Sequence, residues 1–279
     1  MTTITTISII LPARNEAVNL PPLLKKLTGQ CPGAEIIVVD DGSTDHTPMI
    51  CKYHPAVSAY QWQQEPETDQ RRDKQRCLEL ALELSPDWIL GLDADEPLER
   101  SAAPRIFAAI RDCPPEVSVL KIESLFMWND MSHYRTDGIY RRICQERLFR
   151  VTGQVREQLV YQPTKFRGNG HCTRLPGGIV GAEREIDVKI LHMGYMYPDV
   201  RARRYEYYRQ RDPREFANGD YEHLLDQPGQ TIERWTERAW IPPRLPAAHA
   251  APARVVDAQG STSRRERDTR IHARDWAMV

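Results

Sequence analysis

Residues 35–43 read Glu-Ile-Ile-Val-Val-Asp-Asp-Gly-Ser. The unbroken β-branched run from Ile36 to Val39, without polar alternation, suits a strand covered on both faces. It stops at two aspartates and a Gly-Ser pair, all residues that favour turns. Working outward, two more segments repeat the pattern. Ile7 to Leu11 runs into Pro12-Ala13-Arg14-Asn15-Glu16, and Trp88-Ile89-Leu90-Gly91-Leu92 runs into Asp93-Ala94-Asp95-Glu96. Between the first two strands, Leu20, Leu23, Leu24 and Leu27 recur at helical spacing. Pro21 and Pro22 are tolerated only in a first turn, so this helix is predicted to start near Asn19, and Gly29 ends it. Thr44 to Lys52 is a second expected helix, capped by Ser43 or Thr44. Val57 to Trp62 is a weaker strand. Residues 71–84 place Cys77, Leu78, Ala81, Leu82 and Leu84 on one side of an amphipathic helix. Strands alternating with helices predict an α/β fold with a mostly parallel sheet. Ligands of such sheets sit at the carboxyl ends of the strands. All three polar stretches fall there, so one pocket can collect them.

After residue 117 the rhythm changes. Val117–Leu125, Glu146–Val151 and Asp187–Leu191 read as strands without clean helices between them, and Gly and Pro punctuate 163–182. Arg201 to Arg211 reads as a basic, aromatic helix with Tyr205 and Tyr208 inward. Residues 243–279 are rich in Ala, Pro and Arg and lack apolar periodicity, which predicts disorder. The expected organisation is an α/β region over 1–115 whose strand ends bind the ligand, an irregular α+β region over 116–242, and a tail over 243–279.

The 279 residues suffice for a sizeable core, and 41% apolar with 28% charged residues is ordinary for a globular protein. A formal net charge of -1 gives no global pull toward nucleic acid. The six cysteines are scattered singly, with no zinc-like spacing, and read as reduced packing residues. The run Ile7 to Leu11 is too short for a signal-peptide core, and no segment approaches the ~20 apolar residues of a membrane helix. The expectation is a cytoplasmic protein, with peripheral contact to the inner face of the membrane left open.

Departure of a nucleotide diphosphate builds negative charge that a divalent cation neutralises. Mg²⁺ or Mn²⁺ prefers carboxylate oxygens and keeps positions open for phosphate. Asp93-Ala94-Asp95 suits that need, because alternation sends both carboxylates roughly the same way. The plain alternative is a turn with helix-capping acids. Asp40-Asp41-Gly42-Ser43-Thr44-Asp45 is either a simple strand-to-helix turn or a site whose carboxylate accepts the N3–H of a uracil-type base or the ribose hydroxyls.

The stretches SIILPARNEAVNLPPLLKKL (8–27), EIIVVDDGSTDHT (35–47) and WILGLDADEPLE (88–99) stand in the order and approximate spacing of family 2 glycosyltransferases of the GT-A fold, which the chain resembles over residues 7–99. That resemblance implies a Rossmann-like, mostly parallel sheet, an inverting mechanism, a nucleoside-diphosphate sugar donor and Mg²⁺ or Mn²⁺. It implies that Pro12, Ala13, Arg14 and Glu16 line the nucleotide site and that Asp40 or Asp41 contacts the base. Gly42, Arg72, Arg76 and Ala94 join the same site. Asp93 lies near ribose and metal, and Asp95 is the principal metal ligand.

Downstream, Glu146-Arg147-Leu148-Phe149-Arg150, Gly153-Gln154-Val155-Arg156-Glu157 and Ile190-Leu191-His192-Met193-Gly194-Tyr195 resemble a bacterial subgroup near the lipopolysaccharide-core glucosyltransferases. Arg156 replaces that subgroup's usual His, and Gln75 its usual Asn. A hydroxyl acceptor must lose a proton during attack, and a carboxylate is the simplest base. Glu157 is nominated, with Asp130 and Asp137 as competitors. A surface ion pair with Arg156 or Arg150 is the other account of Glu157. His192 is either a structural histidine or a late metal or diphosphate ligand. Trp128 to Arg135 mixes aromatic and polar groups suited to sugar recognition. Arg201, Arg203 and Arg204 read as a solvated helix face or as contacts to diphosphate or an anionic acceptor. The acceptor class is a saccharide, lipid-linked glycan, small natural product or peptide. The competing functions are a sugar nucleotidyltransferase, against which the lack of a Gly-rich basic loop after the first strand counts, and a non-catalytic nucleotide-sugar-binding protein.

Overall fold

The computed structural model describes residues 5–63, 69–163, 172–211, 219, 221–237, 254–256 and 262–264. In chain order the elements are β1 (Ile7–Ala13), α1 (Leu20–Gln30), β2 (Glu35–Asp41), α2 (Thr47–Tyr53), β3 (Val57–Gln63), α3 (Gln70–Glu83), β4 (Trp88–Gly91), α4 (Ala102–Arg111), β5 (Val117–Trp128), β6 (Asp130–Arg135), β7 (Ile143–Arg150), β8 (Ala182–His192), α5 (Pro198–Arg211), β9 (Ile232–Arg234), β10 (Arg254–Val256) and β11 (Thr262–Arg264). They build one sheet in the order β11-β10-β3-β2-β1-β4-β7-β5-β6-β9, with β8 pairing β5 off this path.

The parallel block is β3-β2-β1-β4. Its strands are buried on both faces because each face carries its own core. On one side Ile9, Leu11, Ile36, Val38 and Leu90 meet Leu20, Leu24 and Leu27 of α1 and Ile106 of α4. On the other, Ile10, Ile37, Val39 and Ile89 meet Cys77, Leu78 and Ala81 of α3. The antiparallel β7 joins the parallel block to β5.

Local chemistry explains the element boundaries. Prolines occupy the first turn of α1, as expected from Pro21 and Pro22. Asp69 caps α3, accepting the Arg71 and Arg72 amides at 2.9 and 3.2 Å. The second helix starts later than the expected Thr44, because residues 43–45 are committed elsewhere. Ser43 Oγ accepts from the Asn15 amide (2.8 Å), the Thr44 amide donates to Asn15 Oδ1 (2.8 Å), and Asp45 accepts from the Ala17 amide (3.1 Å). The loops after β1 and β2 are thereby stitched together, and α2 begins at Thr47.

The helix α4 has no counterpart in the sequence reading, although Ala102, Ala103, Ile106 and Ile110 form its buried face. In α5 the buried residue is Arg201, 1% exposed, whereas Tyr205 and Tyr208 are only half-buried. Arg201 lies 3.9 Å from the centroid of the Trp128 ring and pairs with Asp226 at 2.8 Å. Within the tail, β10 pairs with the edge of β3 and β11 pairs with β10. The rest of 243–279 lies outside the described residues. Among the described residues, no helix is long and apolar enough to cross a membrane.

Candidate active site at the carboxyl edge of the sheet

Two clusters form where β1, β2 and β4 end. The first is centred on Asp41. Its carboxylate is 5% exposed and sits between two arginines. Arg14 Nη1 donates to Asp41 Oδ2 at 3.1 Å and to its carbonyl at 2.9 Å, while Arg72 Nη2 donates to Oδ1. The neighbouring Asp40 points to the other face, as strand alternation requires. It is fully buried, Oδ1 accepts from the Ser43 amide at 2.9 Å, and burial pushes its carboxyl up. Asp40 thus braces the loop through Oδ1 and leaves Oδ2 buried without a hydrogen-bond partner, and Asp41 is the carboxylate set between two arginine donors. Gly42 adopts φ 65°, the left-handed turn that releases the chain from β2. Arg76 leaves the cluster, donating to Gln61 Oε1 at 2.5 Å and to Glu79 at 2.9 Å.

Arg72 also pairs with Asp73 at 3.1 Å, and Asp73 accepts from Gln63 Nε2. Burial, reinforced by Asp41, pushes the Asp73 carboxyl from its ordinary 3.8 to about 7. A group raised on folding is protonated more readily in the native state. Its ionisation therefore removes stability as pH climbs from its unfolded value toward about 7. Asp73→Asn cannot ionise. Its melting temperature relative to the parent protein is expected to rise between pH 5 and pH 8, as thermal unfolding at the two pH values would reveal. A pH-independent difference would remove Asp73 as the titrating group.

The second cluster surrounds the Asp93-Ala94-Asp95 turn. Glu96 is fully buried and forms a two-pronged pair with Arg147 of β7, at 2.7 and 2.6 Å. The same Glu96 carboxylate accepts the Asp93 amide at 3.0 Å. A buried ion pair thus holds the turn in shape. Asp93 faces a small cavity lined by Pro12, Lys74, Arg147, Tyr161 and Arg174. Burial disfavours its charge, yet Lys74, Arg147 and Arg174 outweigh that and hold its carboxyl below the usual range. Ala13 and Ala94 are buried beneath the site.

Asp95 is reached from the far end of the chain. The Met193 amide donates to the Asp95 carbonyl at 2.9 Å and the Leu191 amide to that of Pro97 at 2.8 Å, which ties the end of β8 to the turn. Arg204 of α5 sits 3.3 Å from Asp95 Oδ2. Gly194 makes this approach possible. A Cβ there would lie 2.2 Å from Asp95 Oδ2, 2.9 Å from His192 Cε1 and 3.0 Å from Arg204 Nη2. Burial raises the Asp95 carboxyl. Burial and Asp95 together push Glu16 to about 7. The cluster therefore holds more buried carboxylate than its arginine satisfies.

The donor set suits a divalent cation of the Mg²⁺ or Mn²⁺ type. Asp95 supplies a carboxylate, and His192 beside it has a buried Nδ1 without a hydrogen-bond partner. Among the described residues, no group of three or more His, Cys, Asp or Glu converges to hold a metal. Such cations need no all-protein cage, because one or two carboxylates plus substrate phosphates complete their shell.

Several expected residues lie elsewhere. Glu157 is exposed on a single 3₁₀ turn, Arg156–Gln158. Arg156 anchors that turn to the Leu82 carbonyl (3.1 Å) and Ser85 Oγ (3.5 Å), at the C-terminal end of α3. The acidic clusters meet the opposite end of that helix, through Arg72 and Lys74. Just beyond the turn, the Leu159 carbonyl accepts from Gln75 at 3.4 Å and the Tyr161 amide donates to Gln75 at 3.0 Å, which brings Tyr161 to the cavity that Asp93 faces, while Glu157 itself stays exposed. Asp130 is exposed, and bonds from Ser132 and His133 lower it to about 2. Arg135 grips Asp137 with two bonds of 2.8 Å and lowers it to about 2. Carboxylates held so low are poor proton acceptors near neutrality. Trp128 is fully buried against Arg201 and donates to Asp226 at 3.0 Å, so its face is not open to a sugar.

Residues 8–159, just over half of the chain, match the pattern of glycosyl transferase family 2. The chain belongs to that family. A 4,4'-diaponeurosporenoate glycosyltransferase of Staphylococcus haemolyticus (strain JCSC1435) is 52% identical over 46 residues, which are 16% of this chain and 12% of that protein. Among solved structures, S. aureus TarS 1–349 aligns with a TM-score of 0.44 at 16% identity, covering 79% of this chain and 69% of that one. In complex with UDP-GlcNAc, TarS 1–349 aligns over 44% of this chain and 34% of its own length, with a TM-score of 0.34 and 22% identity. Glucosyl-3-phosphoglycerate synthase from Mycobacterium tuberculosis, in complex with Mn²⁺, UDP and glucosyl-3-phosphoglycerate, aligns over 44% of each chain with a TM-score of 0.33 and 20% identity. The chain thus spans about an eighth of the curated relative and about a third of TarS 1–349 in its UDP-GlcNAc complex.

Proposed function

We propose that this family 2 member transfers a glycosyl group from a nucleoside-diphosphate sugar to a hydroxyl acceptor in cell-surface glycan or natural-product assembly. The carrying observation is that two acidic clusters with arginine partners share the carboxyl edge of one parallel sheet. Asp41 lies between Arg14 and Arg72, and Asp95 lies beside His192, Glu16 and Arg204.

The first cluster suits a nucleobase. Arg14, Asp41 and Arg72 present donor, acceptor and donor in a row. The imide edge of uracil or thymine offers acceptor, donor and acceptor, with N3–H meeting the carboxylate. Cytosine carries a bare N3 and an amino group there, so two contacts would fail. Pro12 and the Asp93 turn then border the ribose, and Lys74 and Arg174 lie nearby as cations. Asp95 and His192 are the residues that would hold a divalent cation. Bound there, it would supply Lewis-acid stabilisation of the departing diphosphate. Arg204 reaches the same point from α5 and is placed to exchange its contact with Asp95 for one with the diphosphate.

The subgroup resemblance divides along the same geometry. Arg147 and the His192–Gly194 segment adjoin the Asp93-Ala94-Asp95 turn, whereas Glu157 is exposed on its own 3₁₀ turn.

The test is a donor screen by nucleotide release with Mn²⁺ or Mg²⁺. UDP- or dTDP-sugars are expected to outperform CDP- and GDP-sugars by roughly tenfold or more, since each mispaired buried polar group costs about 1–3 kcal/mol. Asp41→Asn should erase that preference. Equal use of all bases by the parent protein would refute the base reading. No turnover of any nucleotide sugar, with or without metal, would refute the transferase reading itself.

A further inference from the structure

A second concavity lies away from both acidic clusters, where β5 passes from its partner β7 to its partner β6. It encloses about 470 Å³, within the range of small-ligand sites. Its walls come from β5, β6, β9 and the turn at Gly138–Tyr140. The lining is polar, yet it is organised. Glu123 is held by Lys189 at 2.7 Å, Asp137 by Arg135 at 2.8 Å, and Glu233 accepts from the Tyr134 hydroxyl at 2.8 Å. Each carboxylate is thus fixed in place by a partner and keeps spare lone pairs. Ser124 also lines the groove. It is 2% exposed, and its hydroxyl has no hydrogen-bond partner. Tyr134 contributes ring surface, Tyr140 forms a buried part of the wall, and Arg141 and Arg142 contribute donors.

Fixed acceptors, rim donors and an aromatic ring together match a neutral polyhydroxylated ligand. The lining carries both signs, Glu123, Asp137 and Glu233 against Arg141 and Arg142, so an ion of either sign would meet like charges. An apolar ligand would leave these charged groups and the Ser124 hydroxyl without replacement partners. The groove is also coupled to the cleft. Tyr140, one of its walls, packs on Phe126 at 5.1 Å and Tyr195 at 6.4 Å between ring centroids. Tyr195 packs on His192 at 4.9 Å and lies under Arg204 at 5.4 Å.

We infer that this groove binds the non-reacting sugar residues of a saccharide acceptor, with Tyr140 and Tyr195 forming the partition between it and the donor cleft. The inference rests on the transferase reading above for the word acceptor, but its binding claim stands separately. Thr231 gives a clean probe. Its side chain is exposed at the groove, while its amide donates to Asp137 at 2.9 Å and its carbonyl accepts from Thr136 at 2.9 Å, so Thr231→Trp fills the space without touching those bonds.

The experiment presents the full-length, fluorescently labelled protein to an array of neutral and acidic bacterial oligosaccharides, alongside hydrolysis of UDP-glucose and UDP-GlcNAc with Mn²⁺. The parent protein is expected to bind neutral oligosaccharides, and Thr231→Trp to lose roughly tenfold or more in affinity, with donor hydrolysis unchanged. Ser124→Ala, a smaller change, should weaken binding in the same direction. Absence of oligosaccharide binding by a protein that hydrolyses donor overturns the groove assignment. So does binding undiminished by Thr231→Trp, or a preference for acidic glycans. Saccharide binding lost in Thr231→Trp, from a protein that turns over no nucleotide sugar in the full donor screen, would keep the groove and overturn the transferase reading instead.

Discussion

Asp95→Ala is expected to lose transfer by about 10²–10³-fold in kcat, the range seen when one preorganised charge partner of a transition state is removed. The variant should still fold. What ties this turn to β8 is the Asp95 carbonyl, which accepts the Met193 amide, and the carbonyl survives the change. The carboxylate itself is raised by burial, lies next to Glu16 and is only partly answered by Arg204 at 3.3 Å. Its removal is therefore expected to cost little stability. Gly194→Ala should reproduce the loss without altering any acid, because the added carbon would lie 2.2 Å from Asp95 Oδ2 and must displace it or Arg204. Glu157→Gln, at the other end of α3, should stay within about twofold of the parent protein, as expected for a group outside the transition-state contacts. Initial rates of nucleotide release for the three variants would decide the matter. Full activity in Asp95→Ala, or collapse in Glu157→Gln, would reverse the assignments made from this geometry.

Arg147→Ala is expected to be the most destabilising single change near the site, at about 3–5 kcal/mol, the usual cost of stripping one partner from a buried ion pair. Glu96 is fully buried, and the arginine side chain is 4% exposed. Without the guanidinium, Glu96 would keep the Asp93 amide at 3.0 Å but carry an uncompensated charge inside the protein. Urea unfolding midpoints would measure the loss. The double change Glu96→Gln with Arg147→Met should recover much of it, since removing both charges also removes the desolvation cost. Activity should not recover with it, because Glu96 holds the Asp93 amide and Arg147 lines the cavity that Asp93 faces. A double variant as unstable as Arg147→Ala would show that packing, rather than charge, is what Arg147 supplies.

Much of the α/β half was legible because its signals are local. A buried parallel strand is a run of β-branched residues, and β1, β2 and β4 were recognisable from Ile7–Leu11, Glu35–Val39 and Trp88–Leu92 alone. Their acidic ends followed directly, since a strand that ends in Asp at the carboxyl edge must face the crevice there. Expectations failed where one residue's fate depended on distant partners. Thr44 is a good helix cap by type, but Asn15 claims its amide. Trp128 has the makings of a sugar platform, but Arg201 covers its ring. Tyr205 and Tyr208 are the apolar residues of α5, yet the buried positions went to Arg201 and partly to Arg204, because carboxylates wait for them in Asp226 and Asp95.

By itself, the sequence determined the layered α/β architecture, the succession along the chain of the strands that carry the site and the chemical type of group at each strand end. Those properties depend on hydrophobic periodicity and turn chemistry within about a dozen residues of chain. Only the tertiary structure decided what surrounds each carboxylate. Asp40 was buried as a loop support and Asp41 placed between Arg14 and Arg72 by the alternation of β2 against two different helix layers. Glu96 found Arg147 51 positions away, and Asp95 found Arg204 109 positions away. The charge state of a buried acid is set by what folding places within a few ångströms of it, and no local pattern records that neighbour.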